Sequence, residues 1–155
     1  MMSNKQFAPI RNPEAVAWTI AAEGTISIHR SHSKGGVYYY PYITVSNTKK
    51  DFIDNFKKLV GDYGSAKYSG SYAHQLKNPK HNPSYFWAIT SIRECRLFLN
   101  EIIEYLPIKR EQAELVVRYC INRINASAHQ DSITYEDEAI VNSVQHLNER
   151  GVHND

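Results

Sequence analysis

The 155-residue sequence lacks most features that mark specialised classes of protein. It has no apolar run long enough to span a membrane, no internal repeat and no low-complexity segment. Its start has no apolar leader, so we expect a protein that is not secreted and stays in the cytoplasm or an organellar matrix. It has only two cysteines, Cys95 and Cys120, and both lie in segments of helical pattern. Reduced structural thiols are therefore expected rather than a disulfide.

The sequence is also poor in net charge, which is only +2, and its seven histidines show no metal-ligand spacing. A net charge this small does not by itself indicate a nucleic-acid partner, but it allows a locally basic face. Tyrosine, in contrast, is abundant: there are 11, many of them clustered between residues 38 and 85. They can be ordinary strand-forming residues or the surface of a sheet that contacts bases and phosphates. Composition alone favours the first interpretation.

The hydrophobic pattern predicts the order helix, two strands, helix, two strands and three helices. Asn12 as cap, Pro13 at the first position and Gly24 at the end define the first helix. Thr48 is a plausible cap for the second helix, and Pro41 predicts a free edge or a bulge in the second strand. We therefore expect an α+β fold over residues 1–155 as a single domain. It would have an αββαββα core, a four-stranded antiparallel saddle-like sheet with helices on one face, and extra C-terminal helices.

The helices can cover only one face of this sheet. The alternation leaves Thr, Ser, His, Lys and Tyr side chains on the other face. An open, polar, twisted sheet of this kind is a plausible docking surface for the groove of a duplex.

The stretch "VAWTIAAEG", residues 16–24, resembles the nine-residue signature of the LAGLIDADG homing endonucleases, and Glu23 and Gly24 match its acid-glycine end. The resemblance continues in order along the chain. "YITVSNTKKDFIDNFKKLVG" is similar to that family's second strand and following helix, "FWAITSIRECRLFLNEIIEYLPIKREQAELV" to its fourth strand, third helix and lysine-bearing turn, and "YEDEAIVNSVQHLNERG" to its closing helix. Two positions depart from the signature: Trp18 replaces a small third residue, and Ala21 stands at the sixth, which is often Asp.

The resemblance implies a homodimer formed through the motif helix, with Ala17, Trp18, Ala21 and Ala22 at the interface. Two Glu23 side chains would then meet, and like charges repel unless a cation lies between them. Glu23 and the Ala22 carbonyl are the implied ligands of Mg²⁺ or Mn²⁺, with Ca²⁺ as a non-catalytic substitute. The implied activity is site-specific hydrolysis of phosphodiester bonds in a long pseudo-palindromic double-stranded DNA target, by a free-standing intron-encoded enzyme.

Further site residues are implied by position. Lys109 would stabilise charge at the phosphate or polarise the attacking water, and Asn47 would position water. Their ordinary alternatives are a surface lysine at a helix start and a turn-forming asparagine. Lys49 and Lys50 are candidates for phosphate contacts or are simply solvated. The candidate DNA-contacting residues on the strands are Thr25, Ser27, His29, Arg30, Ser31, Ser33, Tyr38, Tyr40, Tyr42, Thr44, Lys67, Ser69, Ser71, Ser84 and Thr90.

Other functions stay open at this point. Glu23 can be an ordinary surface acid near a helix end. The chain can be a relative that binds DNA without cutting it, as a regulator, or an RNA maturase that aids intron splicing. An unrelated α+β interaction domain would require the ordered resemblance to be coincidental.

Overall fold

The computed structural model describes residues 5–69, 84–126 and 133–152. The predicted order of elements is confirmed in these ranges. In chain order the elements are α1 (Pro13–Glu23), β1 (Gly24–Ser33), β2 (Gly36–Asn47), α2 (Lys50–Val60), β3 (Ser65–Ser69), β4 (Ser84–Ile89), α3 (Ile92–Ile102), a 3₁₀ turn (Ile103–Tyr105), α4 (Arg110–Asn125) and α5 (Tyr135–Val152).

The start of α1 follows the sequence signals, whereas the start of α2 does not. The Asn12 side chain accepts a hydrogen bond from the Ala15 amide at 3.1 Å, and Pro13 occupies the first helical turn. The predicted Thr48 cap of α2 is wrong, because the cap position is Lys49 and no side chain caps the helix there. Instead the Asn47 side chain accepts from the Lys49 amide at 2.8 Å. An asparagine turn therefore leads into α2.

The four strands form one sheet in the order β1-β2-β4-β3, and all neighbours are antiparallel. β1 and β2 pair from Gly24↔Val45 to Ser33↔Gly36, whereas β4 reaches only from Ile43 to Asn47 of β2. The distal part of the β1–β2 hairpin therefore extends beyond β4. Pro41 lies in that part, where no described strand pairs with β2 on the β4 side, as its position predicted.

The register separates an apolar face from an open one. Ile26 pairs with Ile43, and both are buried beneath the helices. The buried cluster continues through Trp87 and Phe98, whose ring centroids are 5.3 Å apart. The opposite face carries the alternate residues of each strand and bears no described helix, so the α+β fold with helices on one face is confirmed.

The two cysteines are free and buried in α3 and α4, as predicted. Burial raises the pKa of the Cys120 thiol to about 12 and raises that of Cys95 well above its ordinary value. Both therefore stay protonated and serve as small apolar side chains of the core.

The C-terminal helix α5 is held to the rest of the fold by polar contacts at both ends. At its start the Asp137 amide donates to the Thr134 hydroxyl at 3.1 Å, and the buried Asp137 carboxylate accepts from Asn122 of α4 at 3.3 Å. Near its end the Asn148 amide donates to the Ile26 carbonyl of edge strand β1 at 3.1 Å. In the described ranges, no helix combines the length and the apolar character needed to cross a membrane.

Candidate active site and nucleic-acid interface

The acid of the motif lies where α1 changes directly into β1. Glu23 is the last residue of α1 and is exposed, and Gly24 is the first residue of β1. A Cβ on Gly24 would lie 2.8 Å from the Ile20 carbonyl oxygen and 3.1 Å from that of Thr44. Glycine is therefore required here because there is no room for a side chain. Its backbone conformation does not require glycine, since any residue can adopt its φ of −108°. This close approach fixes the carboxylate at the beginning of β1.

Lys109 closes the C-terminal end of the same helix from a distant part of the chain. Its ammonium donates to the carbonyl oxygens of Ala21 at 2.8 Å, Gly24 at 2.6 Å and Ile20 at 3.3 Å. The Ile20 carbonyl also accepts from the Gly24 amide, but carbonyls beyond it at a helix C-terminus lack partners within the helix, and this end carries the partial negative charge. The lysine therefore stabilises the turn that presents Glu23.

The backbone of Lys109 is unusual, since its φ of +67° lies in the left-handed region. A non-glycine residue there costs roughly 1–2 kcal/mol. This conformation occurs at the N-cap position of α4, where it aims the side chain back at α1. The strain is offset by the three hydrogen bonds that the ammonium makes.

The electrostatics couple Lys109 to the acid. Burial lowers the pKa of Lys109, and the negative charge of Glu23 opposes this shift. The predicted proximity of the lysine to the acid is therefore present within one subunit.

The donor set at this junction suits a hard divalent cation but cannot complete its shell. Glu23 offers carboxylate oxygens, and the Ala22 carbonyl is not one of the three acceptors that Lys109 uses. Oxygen donors of this kind fit Mg²⁺. Within the described part of the chain, no group of three or more His, Cys, Asp and Glu could hold a metal ion. A complete site would therefore need oxygens from a second subunit or from substrate phosphates.

Asn47 is placed close in register to this junction, two residues beyond Val45, which pairs with Gly24. Its side chain is half-buried and already accepts from the Lys49 amide. This contact is the turn-forming role, and a catalytic role for Asn47 stays a prediction. Lys49 and Lys50 are exposed at the start of α2, where the Lys50 ammonium pairs with Asp54 at 2.8 Å.

Most predicted DNA-contacting residues share the open face of the sheet. The register places on it Thr25, Ser27, His29, Ser31, Ser33, Tyr38, Tyr40, Tyr42, Thr44, Lys67 and Ser84. Thr90 directly follows β4 and is exposed. The side chain of Ser69 and all of Ser71 lie outside the described residues.

Three of the predicted DNA-contacting side chains instead form hydrogen bonds within the protein. Arg30 is on the opposite face of β1, where its guanidinium donates to the Tyr39 hydroxyl at 3.0 Å. The Ser27 hydroxyl donates to the Tyr42 carbonyl at 3.1 Å, and that of Thr44 donates to the Trp87 carbonyl at 3.0 Å. The hydroxyl protons of Ser27 and Thr44 are thus used within the sheet.

Four of the residues selected from the sequence, on β1 and β2, have rings in contact with one another, and we call this group the aromatic array: His29, Tyr38, Tyr40 and Tyr42. His29 stacks on Tyr42 with ring centroids 4.3 Å apart, and Tyr40 lies 6.4 Å from both Tyr38 and Tyr42. Burial lowers the pKa of His29 below its ordinary 6.5, so the imidazole is neutral at pH 7.

Phe86 and Ala88 also lie on the open face but were not among the predicted residues. The alternation in "SYFWAI" could have indicated them, because it puts every second residue after Ser84 on the same face as Ser84.

The motif helix presents only part of the expected interface. Ala17 and Ala21 are packed inside the subunit, with 0% and 5% of their surface exposed. Trp18 is 57% exposed, and Ala22 is exposed as well. This differs from the expectation that all four side chains line an interface, because the side with the small pair faces the core.

Two further apolar side chains lie exposed in the connection between α3 and α4, part of which packs on α1. They are Tyr105, in the 3₁₀ turn, and Ile108, just before Lys109. Their exposure depends on where this connection meets α1, so the sequence carries no local signal for it.

No protein-family model matches the chain, and no curated protein does so either. Solved structures match it well. The homing endonuclease I-CvuI in complex with its target superimposes with a TM-score of 0.70 at 18% identity, over 88% of this chain and 81% of that one. The archaeal intron-encoded homing endonuclease I-Vdi141I complexed with DNA gives 0.58 at 13% identity, over 89% and 97%. The I-SmaMI LAGLIDADG homing endonuclease bound to cleaved DNA gives 0.60 at 18% identity.

The chain has the LAGLIDADG homing endonuclease fold. The match to I-SmaMI covers 90% of this chain but only 44% of that one, whereas the match to I-Vdi141I covers nearly all of both chains. This chain thus supplies one unit of the LAGLIDADG fold, with one motif helix and one open sheet face.

Proposed function

We propose that this protein is a homodimeric, divalent-metal-dependent, site-specific DNA endonuclease of the LAGLIDADG family. The observation that carries the proposal is the position of Glu23 beside Lys109, at the point where α1 enters β1 of the open face. This links a metal-binding acid to a surface suited to a DNA groove. The fold, whose solved examples include complexes with DNA, supports the same conclusion.

The dimer follows from the incomplete site and from the exposed surface beside it. One carboxylate in each subunit is a poor cation site, and two would complete each other across a two-fold axis. Trp18, Tyr105 and Ile108 are exposed apolar side chains on α1 and the connection that follows α3. Burying them against a second copy would remove this surface from water and bring the two Glu23 residues together.

The residues of this chain have distinct roles in the proposed reaction. Glu23 and the Ala22 carbonyl would hold Mg²⁺, which supplies charge neutralisation at the phosphate and an activated water when bound. Lys109 holds the end of α1 through three carbonyls, and its positive charge would stabilise negative charge on a phosphate bound beside Glu23. Mn²⁺ would replace Mg²⁺, and Ca²⁺ would support binding without cutting.

The length of the β1–β2 hairpin sets the size of the target. The ten residues of β1 extend over about 33 Å, which corresponds to about 10 base pairs of duplex. A two-fold dimer would then contact a pseudo-palindrome of about 20 base pairs. Lys49 and Lys50 are exposed and would contact phosphates beside the base-reading face. Lys67, also exposed, lies on that face and would contact base edges.

The cellular setting is part of the proposal. Buried reduced cysteines fit the cytoplasm or an organellar matrix. An intron-encoded, free-standing enzyme whose residues 1–155 form a single domain is consistent with these features.

The experiment is a cleavage selection on a plasmid library that carries randomised duplex inserts. We expect double-strand breaks at a near-palindromic site with Mg²⁺, no cutting with EDTA, and binding without cutting with Ca²⁺. Affinity should fall steeply with salt, because many phosphate contacts release counterions. Sequence-specific binding without cutting in any divalent metal would contradict the endonuclease and indicate a DNA-binding regulator, and preferential binding of folded RNA would indicate a maturase.

A further inference from the structure

The described positions of the open face carry few of the side chains that usually read bases. Its described positions on β1 to β4 carry Ser, Thr, Tyr, His, Phe, Ala and Gly, with Lys67 as the one cation among them. Lys67 can bond guanine, but none of these positions is Arg, Asn or Gln, the other residues that make bidentate hydrogen bonds to guanine or adenine in the major groove. Away from Lys67, sequence discrimination by these described positions must therefore rest on another chemical property of the base edges.

The aromatic array lies on the β1–β2 part of this face. Its four rings are continuous along the β1–β2 hairpin: His29 stacks on Tyr42, Tyr40 meets Tyr42 nearly at right angles, and Tyr38 tilts against Tyr40. Tyr40 and Tyr42 are half-buried by this packing. His29 is neutral at pH 7, so the array presents an apolar surface edged by hydroxyl groups.

We propose that the aromatic array recognises thymine through its C5-methyl group in the major groove, an inference that rests on the proposed DNA endonuclease. Among the four bases, only thymine places an apolar group on the major-groove edge, and apolar side chains contact it directly. The extended hairpin carries the array outward from Glu23 along the strand. Thymines are therefore expected in the half-sites, away from the centre where cutting occurs.

The packing of the rings favours this contact over stacking with unpaired bases. Binding of single-stranded nucleic acid uses free aromatic faces on which successive bases lie. Here the His29 and Tyr42 rings cover each other at 4.3 Å with an interplanar angle of 28°. Tyr40 meets both His29 and Tyr42 in edge-type contacts. The ring faces that meet in the His29–Tyr42 stack are thus not open to a base, and closely packed rings of this kind form an apolar surface that suits methyl groups in a groove.

The test begins with selection of bound duplexes from a random-sequence DNA library in Ca²⁺ and with resynthesis of the selected site. Each thymine of the site is then replaced singly by deoxyuridine, which removes only the methyl group. We expect affinity to fall about fourfold for each contacted methyl. Tyr42→Ser and Tyr40→Ser should reduce this thymine-over-uracil preference. Tyr135→Ser is the matched control, since Tyr135 lies exposed on α5 and should leave the preference unchanged.

The outcomes separate this inference from the function on which it rests. If the wild-type protein selects and cuts a site but binds its thymine and uracil forms equally, the inference is overturned and the endonuclease stands. Tighter binding of single-stranded uracil-rich RNA than of the duplex would also overturn it, in favour of base stacking. If no DNA is selected, both proposals fail. Circular dichroism of each variant establishes that a lost preference does not come from unfolding.

Discussion

The ammonium of Lys109 donates a hydrogen bond to the carbonyl oxygen of Ala21 at 2.8 Å, although 88 residues separate the two in sequence. With the contacts to Ile20 and Gly24, it closes the end of the helix that carries Glu23. A residue that resemblance assigns to the reaction is thus also a structural cap. Lys109 therefore links the connection before α4 to the geometry of the candidate active site.

Replacing Lys109 should destabilise the fold through this cap. Lys109→Met removes the donor of three carbonyls, and loss of a charged hydrogen-bond partner costs about 1.5–3 kcal/mol. Lys109→Gly loses the same contacts but relieves the left-handed strain, worth roughly 1–2 kcal/mol. Urea unfolding should rank the variants in stability as wild type, then glycine, then methionine. Lys58→Met, at an exposed position of α2, is the control, and a glycine variant more stable than wild type would show that the cap contributes little.

Gly24→Ala should disturb the junction that positions Glu23. The added methyl group would lie 2.8 Å from the Ile20 carbonyl oxygen, so backbone atoms must move. We expect a loss of about 1–3 kcal/mol, as for other overpacked sites. Gly35→Ala is the matched control, since its nearest neighbour atom would be 4.0 Å away. Equal unfolding midpoints for the two variants would contradict a tight helix-to-strand junction.

Trp18→Glu should convert the dimer to a monomer without unfolding the subunit. Trp18 is 57% exposed, so the subunit does not depend on it for its core, whereas a carboxylate there would be buried without a partner at a helix-to-helix interface. Light scattering coupled to gel filtration measures the change in mass. Tyr135→Glu, at an exposed position of α5, should stay dimeric. A Trp18→Glu protein that is still a dimer would place the interface elsewhere.

The stability of the fold should contain a contribution from His29 that depends on pH. Burial lowers its pKa below 6.5, so the folded state binds the proton less readily than the unfolded state. This contribution is fully present above pH 6.5 and is lost as the pH falls below that value. His29→Phe keeps an aromatic ring, and its melting temperature should fall less steeply with decreasing pH than that of wild type. Thermal melts across this pH range measure the difference. His146→Phe, at an exposed position of α5, should retain the wild-type acid dependence, and the same acid response in the His29 variant would contradict the assignment.

The fold could be predicted from the sequence because each helix and strand is marked by residues within or next to it. Asn12, Pro13 and Gly24 mark the limits of α1, and the alternation of β1 and β2 assigns Ile26 and Ile43 to the covered face. The amphipathic helices then leave one face of the sheet open. Thr48 failed as a cap because Asn47, its neighbour, makes the turn instead.

The candidate site was predicted less completely, since its details depend on long-range packing. Nothing near Lys109 in sequence indicates a left-handed backbone or three carbonyl acceptors at the junction of α1 and β1. Likewise, helical periodicity could not decide which side of α1 faces the core, because alanines occur on both sides. The structure resolves this by burying Ala17 and Ala21 and exposing Trp18. The contacts within the aromatic array required the strand register, which the sequence alone leaves open.

The most direct measurement compares wild type with Glu23→Gln on the selected DNA site, with Mg²⁺ for cleavage and Ca²⁺ for binding. Glutamine keeps the size of the side chain but removes the charge that would hold the cation, so we expect binding to persist while cleavage falls about a hundredfold or more. Glu114→Gln, at an exposed position of α4, should cut like wild type. A Glu23→Gln protein that cleaves at the wild-type rate would contradict the assignment of Glu23 as the metal-binding acid of this endonuclease.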